Sequence, residues 1–251
     1  MLEVTVLALL QGVAEFLPIS SSGHLVIGQR LLGVNAPGMR LDVFLHVGTL
    51  LSILVFYASV IFRILRRGEW MYVVKLAASA LPAVAVYFSF KDFIDGMFDN
   101  ARMVGALLMF TGAVLLGTRY LPRGTNGVSF PRALLMGIGQ ALALLPGVSR
   151  SGMTLAFARG GRVDPEKAAE FSFLMSAPLI FGAAVLELVK SCRGAEAAGE
   201  ISWGLTIYGC LLSAVVGYGA LKLLLKSLKG KWFWLFGPYC IAAGLLTLLF
   251  C

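Results

Sequence analysis

Apolar stretches long enough to cross a lipid bilayer recur along this chain, and they limit its fold more than any other feature. A spanning helix needs about 20 mostly apolar residues. Six stretches are plausible spans, although Met103–Thr118 is short: Val43–Phe62, Tyr72–Phe90, Met103–Thr118, Ala168–Val189, Ile201–Leu221 and Trp232–Cys251. Only 14% of the 251 residues are charged, whereas soluble domains carry roughly a quarter. We therefore predict a single all-α integral membrane domain, residues 1–251, with about six transmembrane helices.

Two shorter apolar stretches, Val4–Leu17 and Ala133–Leu145, do not fit this pattern. Each runs into a proline and a serine-glycine cluster, followed by another short apolar piece, Leu25–Leu32 or Met153–Ala158. A helix of about 14 residues reaches about 21 Å, which is less than the hydrocarbon core of about 30 Å. A half-helix followed by a break and a second half-helix is the pattern of a re-entrant hairpin. The unpaired backbone at the break of such a hairpin must be surrounded by protein or water.

The two hairpin segments also resemble each other in sequence. "GVAEFLPISSSG" and "GIGQALALLPGVSRSG" share a glycine, an aliphatic residue, Glu or Gln, Leu-Pro and Ser-x-Ser-Gly. Each hairpin is followed by a long apolar span. We infer two structural repeats, about 1–120 and about 130–251.

The charges of the connecting loops predict how these repeats are oriented. The loops 63–69, 119–132 and 222–231 carry net charges of +2, +3 and +4, whereas segments 91–102 and 190–200 carry −1 and 0. The positive-inside rule places the three basic loops in the cytoplasm. The formal net charge of +8 then reflects topology and contact with membrane lipids, not nucleic-acid binding. On this topology the hairpins enter from opposite sides, so inverted-topology repeats bring their broken tips together near the midplane.

An arginine at the second tip is the first candidate site residue. Arg150 is flanked by apolar sequence, and an arginine inside a bilayer is costly enough to indicate a function. Its fork-shaped guanidinium suits carboxylate or phosphate oxygens. The structural alternative is an ion pair with Glu15 that only locks the two hairpins together.

Serine and glycine at both tips predict an anion-binding cradle. Ser-Ser-Ser-Gly and Ser-Arg-Ser-Gly each open a half-helix, and unpaired N–H groups at helix N-termini favour an anion. The candidate substrate-binding residues are Ser20, Ser22, Gly23, Ser149, Arg150, Ser151 and Gly152. Helix capping alone would also account for most of these serines, and for Ser20 and Ser22 more readily than for Ser21.

Four residues of the first hairpin carry the remaining candidate chemistry. Gln11 and Glu15 share a helix face, where a carboxylate and an amide oxygen could hold a divalent cation, Mg²⁺ or Ca²⁺, together with phosphate oxygens. One carboxylate is a small ligand set, so this site depends on substrate phosphate. Ser21 and His24 are three residues apart, which suits a serine nucleophile and a histidine base. A hydrogen-bonded structural histidine is the alternative reading of His24.

We assign less to the other polar residues. His46 lies inside an apolar span and is interpreted as packing or as support for the site. Asp42, Glu170 and Glu187 lie near helix ends and are expected to be solvated or paired. The four cysteines show no metal-ligand spacing, which predicts packing thiols: Cys192, Cys210, Cys240 and Cys251.

The tip segments resemble the signatures of a known family. "QGVAEFLPISSSGHL" and "LPGVSRSGMT" are similar to the two conserved segments of the undecaprenyl-diphosphate phosphatases, the bacitracin-resistance family, and "LDVFLHVGTLL", "SALPA" and "AAEFSFLMSAP" also resemble it. The resemblance runs along nearly the whole chain. It implies hydrolysis of undecaprenyl diphosphate to the monophosphate, which recycles the lipid carrier of bacterial wall synthesis. It further implies an inner-membrane location, a divalent metal and a site open to the periplasmic side.

Matching positions carry the family's site residues onto this chain. Gln11 and Glu15 take the places of the paired acidic motif, Ser21 and His24 those of the catalytic serine and histidine, and Arg150 that of the phosphate-binding arginine. Glutamine at position 11 removes one negative charge from a metal site, which weakens Gln11 as a ligand. The attacking nucleophile is left open between Ser21, a water and His24.

Two other functions compete with a hydrolase. Inverted repeats with broken helices at the midplane also suit a transporter or flippase of a phosphorylated polyprenyl lipid, although a carrier has no use for a positioned Ser-His pair. A purely structural membrane protein leaves Arg150 unexplained. A homodimer is left open as an oligomeric state.

Overall fold

The computed structural model describes residues 1–33, 39–98, 100–192 and 202–250. Within these ranges the chain is helical, and its only β-type pairing is an isolated bridge between Asn126 and Val163. The described α-helices are α1 (Leu2–Phe16), α2 (Ser21–Leu31), α3 (Met39–Phe56), α4 (Ala58–Arg67), α5 (Trp70–Met97), α6 (Ala101–Gly117), α7 (Phe130–Leu142), α8 (Arg150–Gly160), α9 (Pro165–Cys192), α10 (Trp203–Lys229) and α11 (Phe236–Phe250). Two short 3₁₀ helices, Thr118–Tyr120 and Phe233–Leu235, precede α7 and α11.

Five of the described helical segments are long and apolar enough to cross a membrane, and α3 with α4 forms a sixth if the bent pair counts as one span. The prediction of an all-α membrane protein with about six transmembrane helices is therefore confirmed. Two of the predicted spans lie within α5 and α9, and a third, Met103–Thr118, lies in α6 except for Thr118, which begins the first 3₁₀ helix. The other two lie mostly in α10 and α11, and their predicted ends Ile201 and Cys251 fall outside the described residues.

The predicted span Val43–Phe62 is bent in the structure. It is interrupted at Tyr57, where α3 and α4 meet at 64°. α4 carries Arg66 and Arg67 in its last turn, while Ile64 is buried in the core. The bend therefore turns α4 away from the axis of α3 while Ile64 stays packed in the core.

The four half-helices occupy the segments predicted to form the two hairpins. α1 has 15 residues, α7 has 13, and α2 and α8 have 11 each, so at about 1.5 Å per residue none reaches across a hydrocarbon core of about 30 Å. α1 packs against α10 and α3, whereas α7 packs against α5. Each hairpin thus packs against a spanning helix from the other half of the chain, α10 or α5. The inverted relation of the two halves stays a prediction.

Close contact between α6 and α11 depends on small residues. A Cβ added at Gly112 would lie 2.7 Å from the carbonyl oxygen of Gly237, and one added at Gly237 would lie 2.8 Å from that of Gly112. Larger side chains at either position would push the two backbones apart. This matters for the site because α6 and α11 each contact one hairpin break, as described below.

Three acids were predicted to be solvated or paired, and the structure describes the side chains of Asp42 and Glu170 but not that of Glu187. Asp42 accepts two hydrogen bonds from the Gln29 amide, at 2.9 and 3.1 Å. Glu170 accepts one from the Tyr72 hydroxyl at 3.0 Å and lies 3.6 Å from Arg63. Both carboxylates are therefore paired. Cys210 and Cys240 are buried free thiols, whereas Cys251 lies outside the described residues.

Candidate active site

The second half-helix of each hairpin begins with the same capping device. The Ser20 hydroxyl accepts a hydrogen bond from the Gly23 N–H at 3.3 Å, and the Ser149 hydroxyl accepts one from the Gly152 N–H at 3.1 Å. Such caps leave other N–H groups of the first turn unpaired and pointing out of the helix. The caps differ in one respect, because Ser20 has a φ of 69° and Ser149 a φ of −75°.

A second serine completes each tip. The hydroxyl oxygens of Ser20 and Ser22 lie 3.3 Å apart, as do those of Ser149 and Ser151. Ser151 also donates a hydrogen bond to the carbonyl oxygen of Leu17 in the first hairpin, at 3.1 Å. The two tips are therefore in direct contact.

The hairpin breaks are also held from behind by α6 and α11. The Thr111 hydroxyl of α6 donates to the carbonyl oxygen of Gly147 at 3.0 Å and accepts from the Ser149 N–H at 3.1 Å. Cys240 of α11 lies 3.5 Å from the carbonyl oxygen of Pro18. These contacts fix both breaks, so the residues that follow them face each other in a defined geometry.

One buried carboxylate joins the two tips. Glu15 Oε2 accepts hydrogen bonds from the Ser21 hydroxyl at 2.7 Å and from Gln11 Nε2 at 3.2 Å, and it lies 3.5 Å from His46 Nε2. Glu15 Oε1 accepts from Arg150 Nη2 in an ion pair. The structure thus brings together the predicted site residues Gln11, Glu15, Ser21 and Arg150.

Arg150 retains unused binding capacity. Its Nη1 is buried and has no hydrogen-bond partner in the described part of the chain. The guanidinium carbon lies 5.4 Å from the centre of the Phe173 ring, a cation–π contact that supports the flat face of the fork. One arm of the fork therefore holds Glu15, and the other is free for an oxygen of an incoming anion.

Gln11 presents a free acceptor beside the carboxylate. Its Nε2 is directed at Glu15 and, at 3.5 Å, at the Thr49 hydroxyl, while its buried Oε1 has no partner among the described residues. An unpaired amide oxygen next to a carboxylate is the donor set that a hard cation accepts. No group of three or more His, Cys, Asp and Glu side chains suited to a metal occurs in the described ranges, so the remaining ligands would come from water or substrate.

His46 contributes more than packing. Its Nδ1 lies 2.8 Å from the carbonyl oxygen of Asp42. Because a carbonyl can only accept, Nδ1 carries the proton, and in a neutral ring Nε2 presents a bare lone pair towards Glu15. Two facing lone pairs repel unless a cation, either a proton or a metal ion, lies between them.

His24 lies at the same tip but has other partners. Its Nδ1 lies 2.8 Å from the carbonyl oxygen of Ser20, and its Nε2 lies 2.8 Å from the Tyr239 hydroxyl, with the two rings stacked. The Ser21 hydroxyl instead donates to Glu15. In this conformation Glu15 is the group able to accept the Ser21 proton, and the catalytic role of His24 stays a prediction.

The sequence assigned no role to Thr49, Phe173 or Tyr239, and it left His46 open between packing and support for the site. His46 and Thr49 lie in the "LHVGT" part of an apolar span, where a polar residue is itself a signal of function. Phe173 and Tyr239 gave no such signal, because aromatic residues are common on apolar helices. Their role became visible only once the helices were packed.

Fold and site together define a multi-pass helical membrane protein with a buried serine–carboxylate–arginine centre suited to a phosphate-bearing substrate. The chain belongs to the bacitracin resistance protein BacA family, whose model matches residues 4–246. It is 35% identical to the undecaprenyl-diphosphatase of Halothermothrix orenii over 98% of this chain and 96% of that protein. It is 37% identical to the undecaprenyl-diphosphatase of Desulforapulum autotrophicum (97% and 96% covered) and 34% identical to undecaprenyl-diphosphatase 3 of Bacillus cereus (99% and 96% covered).

Proposed function

We propose that this protein hydrolyses undecaprenyl diphosphate to undecaprenyl phosphate and inorganic phosphate. The names of its relatives support this activity. One structural observation carries it further: the Ser21 hydroxyl and the Arg150 guanidinium, each at the start of a half-helix, both donate to the buried Glu15 carboxylate. A serine held against a carboxylate base is an activated nucleophile. A lipid carrier would need only the anion cradle, so the flippase alternative is not favoured.

In this reaction, separate residues of the site bind the phosphate, accept the proton and attack the phosphorus. Arg150 Nη1 and the N–H groups opening α2 and α8 bind the terminal phosphoryl group and stabilise its negative charge. Glu15 accepts the proton as the Ser21 oxygen attacks the terminal phosphorus and the anhydride bond to undecaprenyl phosphate breaks. Water then hydrolyses the phosphoserine, which regenerates Ser21 and releases phosphate. The same geometry lets Glu15 activate a water directly, which is the competing route.

We also propose that the site binds a divalent cation, Mg²⁺ or Ca²⁺. Gln11 Oε1 and the Glu15 carboxylate would hold it, and His46 Nε2 lies 3.5 Å from Glu15 Oε2. The cation would supply positive charge to the diphosphate oxygens. The ion pair of Glu15 and Arg150 carries no net charge, so the diphosphate arrives without a full counter-charge unless a cation accompanies it.

An apolar groove beside the tip fits a lipid substrate. It lies between α2 and α11, has a volume of about 390 Å³, and ends at His24 and Tyr239. Ile27, Leu31 and Leu246 line its length. A polyprenyl chain lying there would place its headgroup at the tip. We further propose a bacterial cytoplasmic membrane location with the site facing the periplasmic side, as the resemblance to the family implies. The loop charges support only the orientation of the spans.

The decisive experiment measures inorganic phosphate released from undecaprenyl diphosphate by the purified protein in detergent with Mg²⁺. We expect multiple turnovers, with release lost in Glu15→Gln. A methylene-bridged diphosphate analogue, which cannot be hydrolysed, serves as the binding control. Binding of this analogue without phosphate release from the true substrate by the wild type would show a carrier instead of a hydrolase.

A further inference from the structure

A second cavity lies at the far end of α8 from Arg150. Its volume is about 250 Å³, and three basic residues from three separate segments line it: Arg123, Arg159 and Lys231. Its apolar lining includes Leu155, Val163 and Phe233. We call it the basic cavity. It shares no residue with the site around Glu15.

The cations of the basic cavity are largely unpaired. Arg159 donates Nε and Nη2 to the carbonyl oxygen of Leu121, at 3.1 and 2.9 Å, which leaves Nη1 without a partner in the described part of the chain. Neither Arg123 nor Lys231 has a hydrogen bond or ion pair within the described residues. Burial and the neighbouring Arg123 guanidinium lower the pKa of Arg159. Like charges held this close repel each other.

Nearby acids do not neutralise this charge. No carboxylate is among the described residues lining the cavity. Asp164, adjacent in sequence, accepts hydrogen bonds from the backbone N–H groups of Glu166 and Lys167. The Glu166 carboxylate lies 3.0 Å from Lys229 Nζ. The Glu166 charge is therefore paired with Lys229, and Oδ1 of Asp164 is engaged by backbone N–H groups at the start of α9.

The segments that carry the cations are held in place. The Asn126 N–H donates to the carbonyl oxygen of Arg162 at 3.1 Å, and the Asp164 N–H donates to that of Asn126 at 2.8 Å. These bonds tie the segment after Arg123 to the end of α8. Lys231 has a φ of 63°, a left-handed conformation that is costly for a lysine. The segments that carry Arg123 and Arg159 are thus held together through the backbone.

We propose that the basic cavity binds a phosphate group, carried either by an anionic membrane lipid or by free inorganic phosphate. An anion would relieve the repulsion between Arg123 and Arg159, and an Arg fork suits phosphate oxygens. The apolar lining suits the glycerol and first methylene groups of a lipid. The alternative is that these basic residues only set membrane topology, in which case their positions within the loops would not matter.

A pair of double variants separates these readings. Arg123→Gln with Lys231→Asn removes two charges from the cavity, and asparagine tolerates the left-handed backbone at position 231. The matched control, Arg66→Gln with Arg67→Gln, removes two charges from exposed residues at the end of α4 that lie outside the cavity. Both variants are first compared with the wild type by melting temperature in detergent without anionic lipid. If the cavity variant unfolds, the single pair Arg123→Gln and Arg66→Gln replaces it.

Binding is then titrated by native mass spectrometry with phosphatidylglycerol, with phosphatidylcholine and with inorganic phosphate. We expect the cavity variant to lose at least about tenfold in affinity for phosphatidylglycerol, and the α4 control less than about twofold. Tight binding of phosphatidylglycerol alone identifies a lipid headgroup as the source, whereas equal competition by inorganic phosphate identifies free phosphate. Equal losses in both variants, or no loss in the cavity variant, would overturn the proposal.

Discussion

The two hairpins of this molecule are built alike but carry different chemistry. In the first hairpin (α1 and α2) and the second hairpin (α7 and α8), a serine caps the second half-helix, and the residue after the cap donates to Glu15. That residue is Ser21 in one hairpin and Arg150 in the other. The shared backbone device therefore aims two different side chains at one carboxylate: one can attack, and the other can hold an anion.

The first half-helices, α1 and α7, differ in the charge of the residue at the corresponding position. Glu15 of α1 has four polar neighbours, whereas Gln140, at the corresponding place in α7, is buried with both amide atoms unpartnered among the described residues. The negatively charged Glu15 carboxylate therefore has polar partners, whereas the neutral Gln140 amide has none among the described residues. One acid and one arginine give a neutral pair across the two hairpins. A second acid would leave a buried charge that must be compensated at a cost.

The largest effect should come from making the first hairpin resemble the second. Glu15→Gln keeps the shape but removes the base for Ser21 and the partner of Arg150, so phosphate release should fall by about a thousandfold or more. The matched control is Gln140→Met, which removes an amide that has no partner and should leave release within a few-fold of wild type. Near-normal turnover in Glu15→Gln would contradict the role of this carboxylate.

Removing divalent cations should come next. Chelation by EDTA should lower phosphate release by at least about a hundredfold, and added Mg²⁺ or Ca²⁺ should restore it. Gln11→Glu adds a carboxylate oxygen beside Glu15, so it should increase the rise in melting temperature that Mg²⁺ produces. Full activity in chelator, together with no thermal response to Mg²⁺ in either protein, would remove the metal from the proposal.

Replacing Ser21 tests whether the first hairpin supplies the nucleophile. Ser21→Ala should lower turnover by about a hundredfold, and substrate labelled in its terminal phosphate should label the wild type but not the variant under single-turnover conditions. Ser22→Ala should cost less, because among the described residues the Ser22 hydroxyl is hydrogen-bonded to Ser20 alone. Normal turnover in Ser21→Ala would favour a water activated by Glu15.

His24→Ala is predicted to lower turnover as much as Ser21→Ala does. A small loss of turnover would assign His24 a supporting role.

Arg150 tests the contribution of the second hairpin. Arg150→Lys keeps the charge, so the ion pair with Glu15 should survive, but it loses the second arm of the fork. We expect kcat to fall by more than about tenfold and by more than KM rises, because the fork acts mainly in the transition state. Arg67→Lys, in the last turn of α4 and outside both proposed sites, is the control. Unchanged kcat in Arg150→Lys would leave only the structural ion pair.

The comparison also shows which features were predictable from the sequence. Proline, serine and glycine mark the breaks in both hairpins, and a charge in apolar sequence marks Arg150 and Glu15, so their meeting could be expected. The bend at Tyr57 could not, because no proline or glycine marks it. Nor could the contacts of His46 with Glu15 and of Tyr239 with His24, since a nearly uniform apolar helix does not reveal which side faces its neighbours.

The smallest predicted effect distinguishes the two caps. Replacing an N-cap serine by glycine costs only a few tenths of a kcal/mol, but a left-handed conformation costs a non-glycine residue about 1 kcal/mol or more. Ser20 has a φ of 69° and Ser149 a φ of −75°. Ser20→Gly should therefore raise the melting temperature by about 2 °C, whereas Ser149→Gly should lower it by about 1 °C. Both are measured in the same detergent without substrate. Shifts of the same sign and size would mean that the two tips differ only in their side chains, and that the backbone of the first tip is not strained.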